Sequence, residues 1–344
     1  MAAERNDRVM KRILVTGADG FVGGHLCTHL ASAGLSIKAA TRRPPHSTER
    51  MDSIEHCQIA SIGRTTDWSA ALEDVEAVVH LAARVHTLDA RSKKDLKAFR
   101  EVNVEGTRTL ARACIRAGVR RIVMMSSVKA MGEETARDQP FAEDSPCRPR
   151  DAYGISKWEA EQTLWEVAAG SGMEVVILRA PLIYGPGVGA NLLRLLRSID
   201  RGVLLPLGSV KNVRSLLFVR NLTDAVAICL DHPAAAGQVF LVADQEAFST
   251  RELVLQLAML LRRNHRLVPV PTPLLRMGGW LLGRSEDIRR LTGSLRVSTA
   301  KIRGMLEWRP PFTAVEGLQS TVAWYRTIDL VSNHPSGRNP EPHH

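Results

Sequence analysis

Residues 11–24 read KRILVTGADGFVGG, a short apolar run that meets glycines at positions 17, 20 and 23 and resumes as a helical pattern. An apolar run of this length bounded by glycine reads as a buried strand, and residues 22–33 return apolar side chains at helical spacing. The glycines therefore stand in a strand-to-helix turn. Residues 12–16 begin a series continued by apolar runs at 37–41, 77–81, 121–126 and 174–178, with helical patterns at 102–117 and 153–169 between them. Strand alternating with helix predicts an α/β fold on a doubly wound parallel sheet.

After Pro181 the chain becomes punctuated by Pro and Gly, with helical patterns at 190–200 and 250–262. The apolar patch 219–230, followed by 239–242, reads as a return to the sheet. This predicts two interleaved domains: residues 10–180 with about 215–245, and a smaller C-terminal α/β substrate domain of about 181–214 with 246–328. Residues 329–344, rich in Asn, Pro, Ser and Gly near their end, are expected to form a disordered tail.

With 44% hydrophobic and 24% charged residues, the 344-residue chain has material for a sizeable core. Its net charge of +10 attracts anions of any kind, but aromatics are only 5% and are not interleaved with the arginines, which argues against a nucleic-acid stacking platform. Cys27, Cys57, Cys114, Cys147 and Cys229 are odd in number and lack C-x-x-C spacing, so neither a disulfide framework nor a metal site is expected. The charged N-terminus has no signal-peptide core and no run of eighteen apolar residues occurs, which points to the cytoplasm without stable membrane association. Residues 273–283 are apolar enough to touch a membrane surface and are expected instead to pack into the smaller domain.

Placement gives the glycine turn its meaning. A pyrophosphate needs a helix N-terminus with exposed N–H groups and no side chain in the way, which Gly17 and Gly20 provide ahead of Phe21 and Val22, while Gly23 permits close helix-to-strand packing. The second predicted strand ends in Thr41-Arg42-Arg43 with no carboxylate. An acid there grips the ribose 2′-OH of NAD, whereas Arg accepts a 2′-phosphate, so NADP(H) is favoured and NAD(H) is the alternative.

Tyr153 and Lys157 stand four apart at the start of a helical pattern and share one face. A phenol titrates near pH 10, and an adjacent ammonium favours the phenolate, so Tyr153 is expected to be acidified into a proton donor and acceptor. Ser126 and Ser127 close the fourth predicted strand at the carboxyl edge of the sheet, where ligands bind. A hydroxyl there can hold a reacting oxygen beside the phenol, and Ser127 is the better placed of the two.

Together, Thr16-Gly17-x-x-Gly20-Phe21-x-Gly23, His80-Leu81-Ala82-Ala83, Asn103-Val104-x-Gly106-Thr107, Ser126-Ser127 and Tyr153-x-x-x-Lys157 resemble the extended short-chain dehydrogenase/reductases, from about residue 11 to 324. Within that group the chain is most similar to UDP-glucose 4-epimerase-like proteins, including UDP-sugar 4-keto reductases. The resemblance implies a Rossmann-type fold, a homodimer, and Ser127, Tyr153 and Lys157 as the catalytic group. It further implies that Asn103 steadies the active-site helix, that Lys157 holds the nicotinamide ribose, that Leu81, Ala82 and Ala83 lie along the cofactor, and that Pro181 walls the nicotinamide. Ser61 and Ile62 stand where relatives carry Asp before an apolar residue at the adenine. On the substrate side it implies that Asn191 and Leu192 make a phosphate or sugar contact, that Leu205 and Leu207 belong to a uracil-lining strand, and that Arg214, in a polar turn, binds the diphosphate.

Three reactions share that scaffold. Dehydratases resembling this chain place an acid pair after the catalytic Ser or Thr, and here Val128 and Lys129 follow, so dehydration is set aside. Lys129 either adds positive charge near the carbonyl oxygen or faces solvent. Because Arg42 and Arg43 favour an exchanging NADPH, the first expectation is reduction of a UDP-linked 4-keto-6-deoxy hexose, with or without a 2-acetamido group, for bacterial polysaccharide precursors. NAD-dependent UDP-hexose 4-epimerisation is the alternative, and a non-catalytic NADP(H)-sensing protein is a third reading.

Overall fold

The computed structural model describes residues 12–42, 53–85, 93–136, 138–264 and 267–333. Its strands are β1 (Ile13–Thr16), β2 (Ile37–Thr41), β3 (Ile54–Gln58), β4 (Ala77–His80), β5 (Arg121–Ser127), β6 (Glu174–Ala180), β7 (Leu182–Tyr184), β8 (Arg214–Phe218), β9 (Gln238–Leu241) and β10 (Ala247–Phe248). Seven of them form one parallel sheet in the order β3-β2-β1-β4-β5-β6-β9. Its helices are α1 (Phe21–Ser32), α2 (Lys93–Arg100), α3 (Gly106–Arg116), α4 (Ala152–Ala168), α5 (Ala190–Asp200), α6 (Val219–Asp231), α7 (Thr250–Leu260), α8 (Thr272–Leu281), α9 (Ser285–Thr292), α10 (Ala300–Met305) and α11 (Ala314–Asn333).

The near-continuous apolar strands reflect burial on both faces. Ile13 and Val15 of β1 point into one core with Leu26 and Leu30 of α1 and Val226 and Cys229 of α6. Leu14, between them, points the other way, into a core with Leu110 and Cys114 of α3 and Ala160 and Leu164 of α4. The two-residue period of a strand thus divides one run of side chains between two layers. A third core lies beneath α5, α7, α11 and the small sheet β10-β8-β7.

Residues 219–231 form α6 rather than a strand, because Leu222, Val226, Cys229 and Leu230 recur every three or four positions and bury one helical face. The expected return to the sheet is made by β9 alone, which pairs in parallel with β6. Strand β3 escaped the sequence reading because it is an edge strand of sequence IEHCQ with polar, exposed positions. Arg214 opens β8 rather than lying in a turn. Helix α11 continues to Asn333, so a tail beginning at 329 starts too early, and residues 334–344 lie outside the described residues.

The expected packing of residues 273–283 holds for one side only. Leu275 and Gly279 of α8 are buried, while Leu274, Met277, Trp280, Leu281 and Leu282 are exposed.

Candidate active site

The chain builds β1 to β3 outward to one side and then places β4 on the other side of β1, so the strand order reverses between β1 and β4. Neighbouring loops diverge there and leave a crevice at the carboxyl edge of the sheet. Gly17 sits in it with φ +70°, and a Cβ on it would lie 3.0 Å from the backbone of Ala82. A Cβ on Gly23 would come within 2.2 Å of the Gly17 carbonyl, so a side chain at that position would push α1 off β1. Helix α1 starts at Gly20 without a side-chain cap and without an acid in its first turn. Its N–H groups and positive end therefore suit a phosphate, as a dinucleotide would supply. Leu81, Ala82 and Ala83 follow β4 along this crevice, and Phe21 and Val22 open α1. Arg42 follows β2 and is exposed, Ser61 and Ile62 follow β3 with Ile62 packed against Gly106, and Arg43 lies outside the described residues.

A directed chain of hydrogen bonds crosses beneath this crevice. Thr107 donates to the Asn103 carbonyl at 2.6 Å, so its oxygen can only accept from His80 Nε2 at 3.1 Å. His80 Nδ1 is then the acceptor of the Thr16 hydroxyl at 2.8 Å, and Thr16 Oγ1 in turn accepts the Ala82 N–H at 3.2 Å. Burial, aided by the charge of Lys157, pushes the His80 imidazole down to about 3, in keeping with this neutral tautomer. Asn103 stands in a π-helical turn, Glu101–Glu105, between α2 and α3. From there its side chain accepts the Arg84 N–H at 2.7 Å and donates to the Arg84 carbonyl at 3.2 Å and to Ser156 of α4 at 2.9 Å. One amide thereby ties the segment after β4 to the helix that carries Tyr153.

Asp151 caps α4 by accepting the Gly154 N–H at 2.6 Å, a bond worth about 1 kcal/mol, and this sets where the helix begins. Tyr153 and Lys157 follow on its inner face. Tyr153 is hydrogen-bonded to Ser127, the last residue of β5, whose hydroxyl also accepts the Lys129 N–H at 3.2 Å. Lys157 is 3% exposed and donates from Nζ to the Met125 carbonyl at 2.6 Å. Burial holds its ammonium down at about 8 against the pull of Glu161.

The expected acidification of Tyr153 is not what this arrangement produces. Burial pushes its phenol up to about 12, outweighing the Ser127 hydrogen bond, and the Asp151 charge acts in the same direction as burial. Lys157 is turned toward a backbone carbonyl of β5, so its charge is spent there rather than on the phenol.

Lys129 neither faces solvent nor supplies uncompensated charge, because its ammonium is paired with the Asp151 carboxylate. Ser126 is hydrogen-bonded to Glu161, away from the phenol. Glu161 and Arg179 are 1% and 3% exposed and meet at 2.6 Å, with Arg179 also stacked over Trp158. Sequence reasoning passed over both, although Glu161 continues the Tyr153–Lys157 spacing by one further turn. It also passed over Arg84, whose guanidinium lies 5.8 Å from the Phe99 ring, itself edge-on to Tyr153.

The model of the NAD dependent epimerase/dehydratase family matches residues 13–243. The chain belongs to this family. It is an NAD(P)-dependent oxidoreductase/epimerase of the extended short-chain dehydrogenase/reductase type. UDP-glucose 4-epimerase of Vibrio cholerae is 41% identical over 318 residues, covering 92% of this chain and 96% of that one. An N-acetyl-alpha-D-glucosaminyl-diphospho-ditrans,octacis-undecaprenol 4-epimerase of Escherichia coli O157:H7 is 29% identical over 85% of this chain and 84% of its own. Among solved structures, MoeE5 in complex with UDP-glucuronic acid and NAD superposes with a TM-score of 0.74 at 25% identity, covering 92% of this chain and 99% of that one.

The residues expected to meet the substrate are placed unevenly on this family framework. Pro181 is buried between β6 and β7, and Asn191 is exposed at the start of α5, accepting from Arg194. Leu192 and Leu207 are 5% and 4% exposed within the third core, with Leu205 packed against it, so none of the three offers a free apolar face. Arg214 donates from Nη1 to the carbonyls of Arg290 and Gly293 at 2.9 Å each, and burial draws its guanidinium below its usual value. A cavity of about 810 Å³ beside Phe21, His25, Arg220 and Phe312 includes none of Ser127, Tyr153 and Lys157 in its lining. Among the described residues no group of His, Cys, Asp and Glu can hold a metal ion, no helix is long and apolar enough to cross a membrane, and all five cysteines are free.

Proposed function

We propose that the chain is a 4-epimerase of a UDP-linked hexose that retains its nicotinamide cofactor through the cycle. The observation that carries this reading is the 41% identity to the Vibrio cholerae UDP-glucose 4-epimerase over nearly the whole of both chains. It displaces reduction of a 4-keto sugar as the first reading, and dehydration lacks support because Val128 and an ion-paired Lys129 follow Ser127.

When bound, the nicotinamide would supply a reversible hydride acceptor for the sugar carbon. The residues of the chain handle the proton. Tyr153 takes the proton of the sugar 4-hydroxyl as the carbonyl forms and returns it when the alcohol is restored, with Ser127 holding that oxygen in line. Inversion at the carbon would require the keto sugar to turn within the site so that its opposite face meets the cofactor. Lys157 would anchor the cofactor ribose, and an ammonium placed there beside the phenol would favour its ionised form. Gly17, Gly20, Phe21 and Val22 hold the pyrophosphate, Ser61 and Ile62 the adenine, Leu81, Ala82, Ala83 and Pro181 the remaining wall. Residues 181–214 with 246–328 hold the nucleotide-sugar, with exposed Asn191 as the expected contact that stands open to it, because Leu192, Leu207 and Arg214 are engaged within the fold. The enzyme acts as a cytoplasmic homodimer.

One observation favours a second reading, a reductase using NADPH: Arg42 is exposed directly after β2, where no carboxylate stands. The test is to incubate the purified chain with UDP-glucose or UDP-N-acetylglucosamine, without added cofactor, and identify the product. Interconversion at C4 with no net cofactor consumption is expected. Stoichiometric NADPH oxidation with a UDP-4-keto sugar, and no interconversion, would replace epimerisation by reduction.

A further inference from the structure

Helix α8 presents Leu274, then Met277 three residues on, then Trp280 and Leu281 three and four residues beyond Met277, so they share one face, and they are 51%, 54%, 72% and 69% exposed. Leu282, directly after the helix, is 77% exposed. The opposite side is fixed: Leu275 enters the third core and Gly279 lies against Ile288 of α9. Helix α9 is held in turn by Arg289, which pairs with Glu133 and Glu134 outside the helix. Leu204 and Val268 are also exposed, at 67% and 40%, on two segments bridged at Leu205 and Leu267. Helix α8 is therefore fixed on its inner side, and the segment leading into it is tied to the 205–208 strip, where Gly208 N–H donates to the Val268 carbonyl at 3.0 Å. Single exposed apolar residues are ordinary, whereas a contiguous patch of this kind marks an interaction surface.

Charge selects the partner. Residues 253–285 contain Arg262, Arg263, Arg266, Arg276 and Arg284 and no Asp or Glu. Arg276 is exposed at the edge of the apolar stripe, and Arg262 and Arg284 are exposed at either end of the region, while Arg263 is engaged with Asp200 at 2.9 Å. The next acids, Glu286 and Asp287, stand on α9. A second copy docking through the same face would bring these arginines together, whereas an anionic surface would match them. Tryptophan and leucine over an arginine border is the arrangement of a helix lying in a lipid interface, and α8 is too short to span one.

We propose that α8 docks the enzyme on an anionic lipid bilayer, with Trp280, Leu281 and Leu282 in the headgroup–acyl boundary and Arg276 and Arg284 against lipid phosphates. This inference stands independently of the reaction assigned above.

The test is flotation of the full-length protein with phosphatidylglycerol vesicles, with phosphatidylcholine vesicles and without vesicles, alongside the variants Trp280→Ser/Leu281→Gln and Arg276→Gln/Arg284→Gln. Co-flotation with phosphatidylglycerol alone is expected, weakening as salt rises. Both variants should lower the partition about tenfold or more while keeping the wild-type melting temperature and cofactor binding, because every side chain changed is exposed. Quenching of tryptophan emission by brominated phosphatidylglycerol should disappear in Trp280→Phe. The proposal is overturned by equal flotation with and without vesicles, by undiminished binding of the Trp280→Ser/Leu281→Gln variant, or by a concentration-dependent dimer that this variant abolishes without any vesicle binding.

Discussion

Glu161 and Arg179 form an ion pair at 2.6 Å directly behind the end of β5, with both side chains almost wholly withdrawn from solvent and Ser126 bonded to the same carboxylate. Their pairing joins α4, which carries Tyr153 and Lys157, to the strand beside the one that ends in Ser127. Two charges in such a place tolerate joint removal better than separation. Each would stand unpaired in a medium of low polarizability if the other were lost.

Glu161→Leu alone and Arg179→Met alone should each destabilise the fold by about 3–5 kcal/mol, and the double variant should recover most of that loss. Urea unfolding of the four proteins completes the cycle. Additive losses would mean that the pair is not coupled.

Replacement of Tyr153 by Phe keeps the ring against Phe99 and removes only the hydroxyl. Turnover should fall by about 10² to 10⁴ while nicotinamide cofactor binding changes little, with Ser127→Ala nearer the lower end of that span. Product formation measured against cofactor affinity separates this outcome from a general loss of folding.

His80 gives a pH dependence whose sign is fixed by its burial. The imidazole is held neutral down to about 3 in the folded protein, whereas the unfolded chain protonates near 6.5. Stability from this group is therefore complete above 6.5 and is lost as the pH falls from 6.5 toward 3. Between pH 6.5 and about 5 the loss amounts to roughly 2 kcal/mol. Urea midpoints across that interval should fall more steeply for the wild type than for His80→Asn, and parallel curves would rule out a buried neutral histidine as the cause.

Arg42 is the described residue that speaks for a 2′-phosphate. If it contacts one, Arg42→Asp should weaken NADP(H) binding about tenfold or more and leave NAD(H) binding nearly unchanged. Equal effects on both cofactors, measured by titration calorimetry, would remove the basis for any phosphate preference.

Much of the framework was legible in the residues themselves. The apolar runs at β1, β2, β4, β5 and β6 needed no partner to be read, because burial on both faces leaves little room for polar residues. The Tyr153–Lys157 spacing and the glycine turn were likewise local, each confined to a few helical or turn residues. β3 was not legible, since an edge strand mixes polar and apolar positions. The patch at 219–230 looked like strand by composition, and only its three- and four-residue recurrence marks the helix.

Sequence by itself determined the doubly wound order and brought Ser127, Tyr153 and Lys157 forward as one group, because strand periodicity, helix periodicity and turn chemistry act over short stretches of chain. Only the tertiary structure decided what surrounds each group: that Lys157 faces the Met125 carbonyl, that Lys129 is neutralised by Asp151, that Arg214 is committed to carbonyls of residues 290 and 293, and that one side of α8 is left uncovered. Those outcomes depend on burial and on partners distant in the chain, and electrostatic energies are set by just these two quantities.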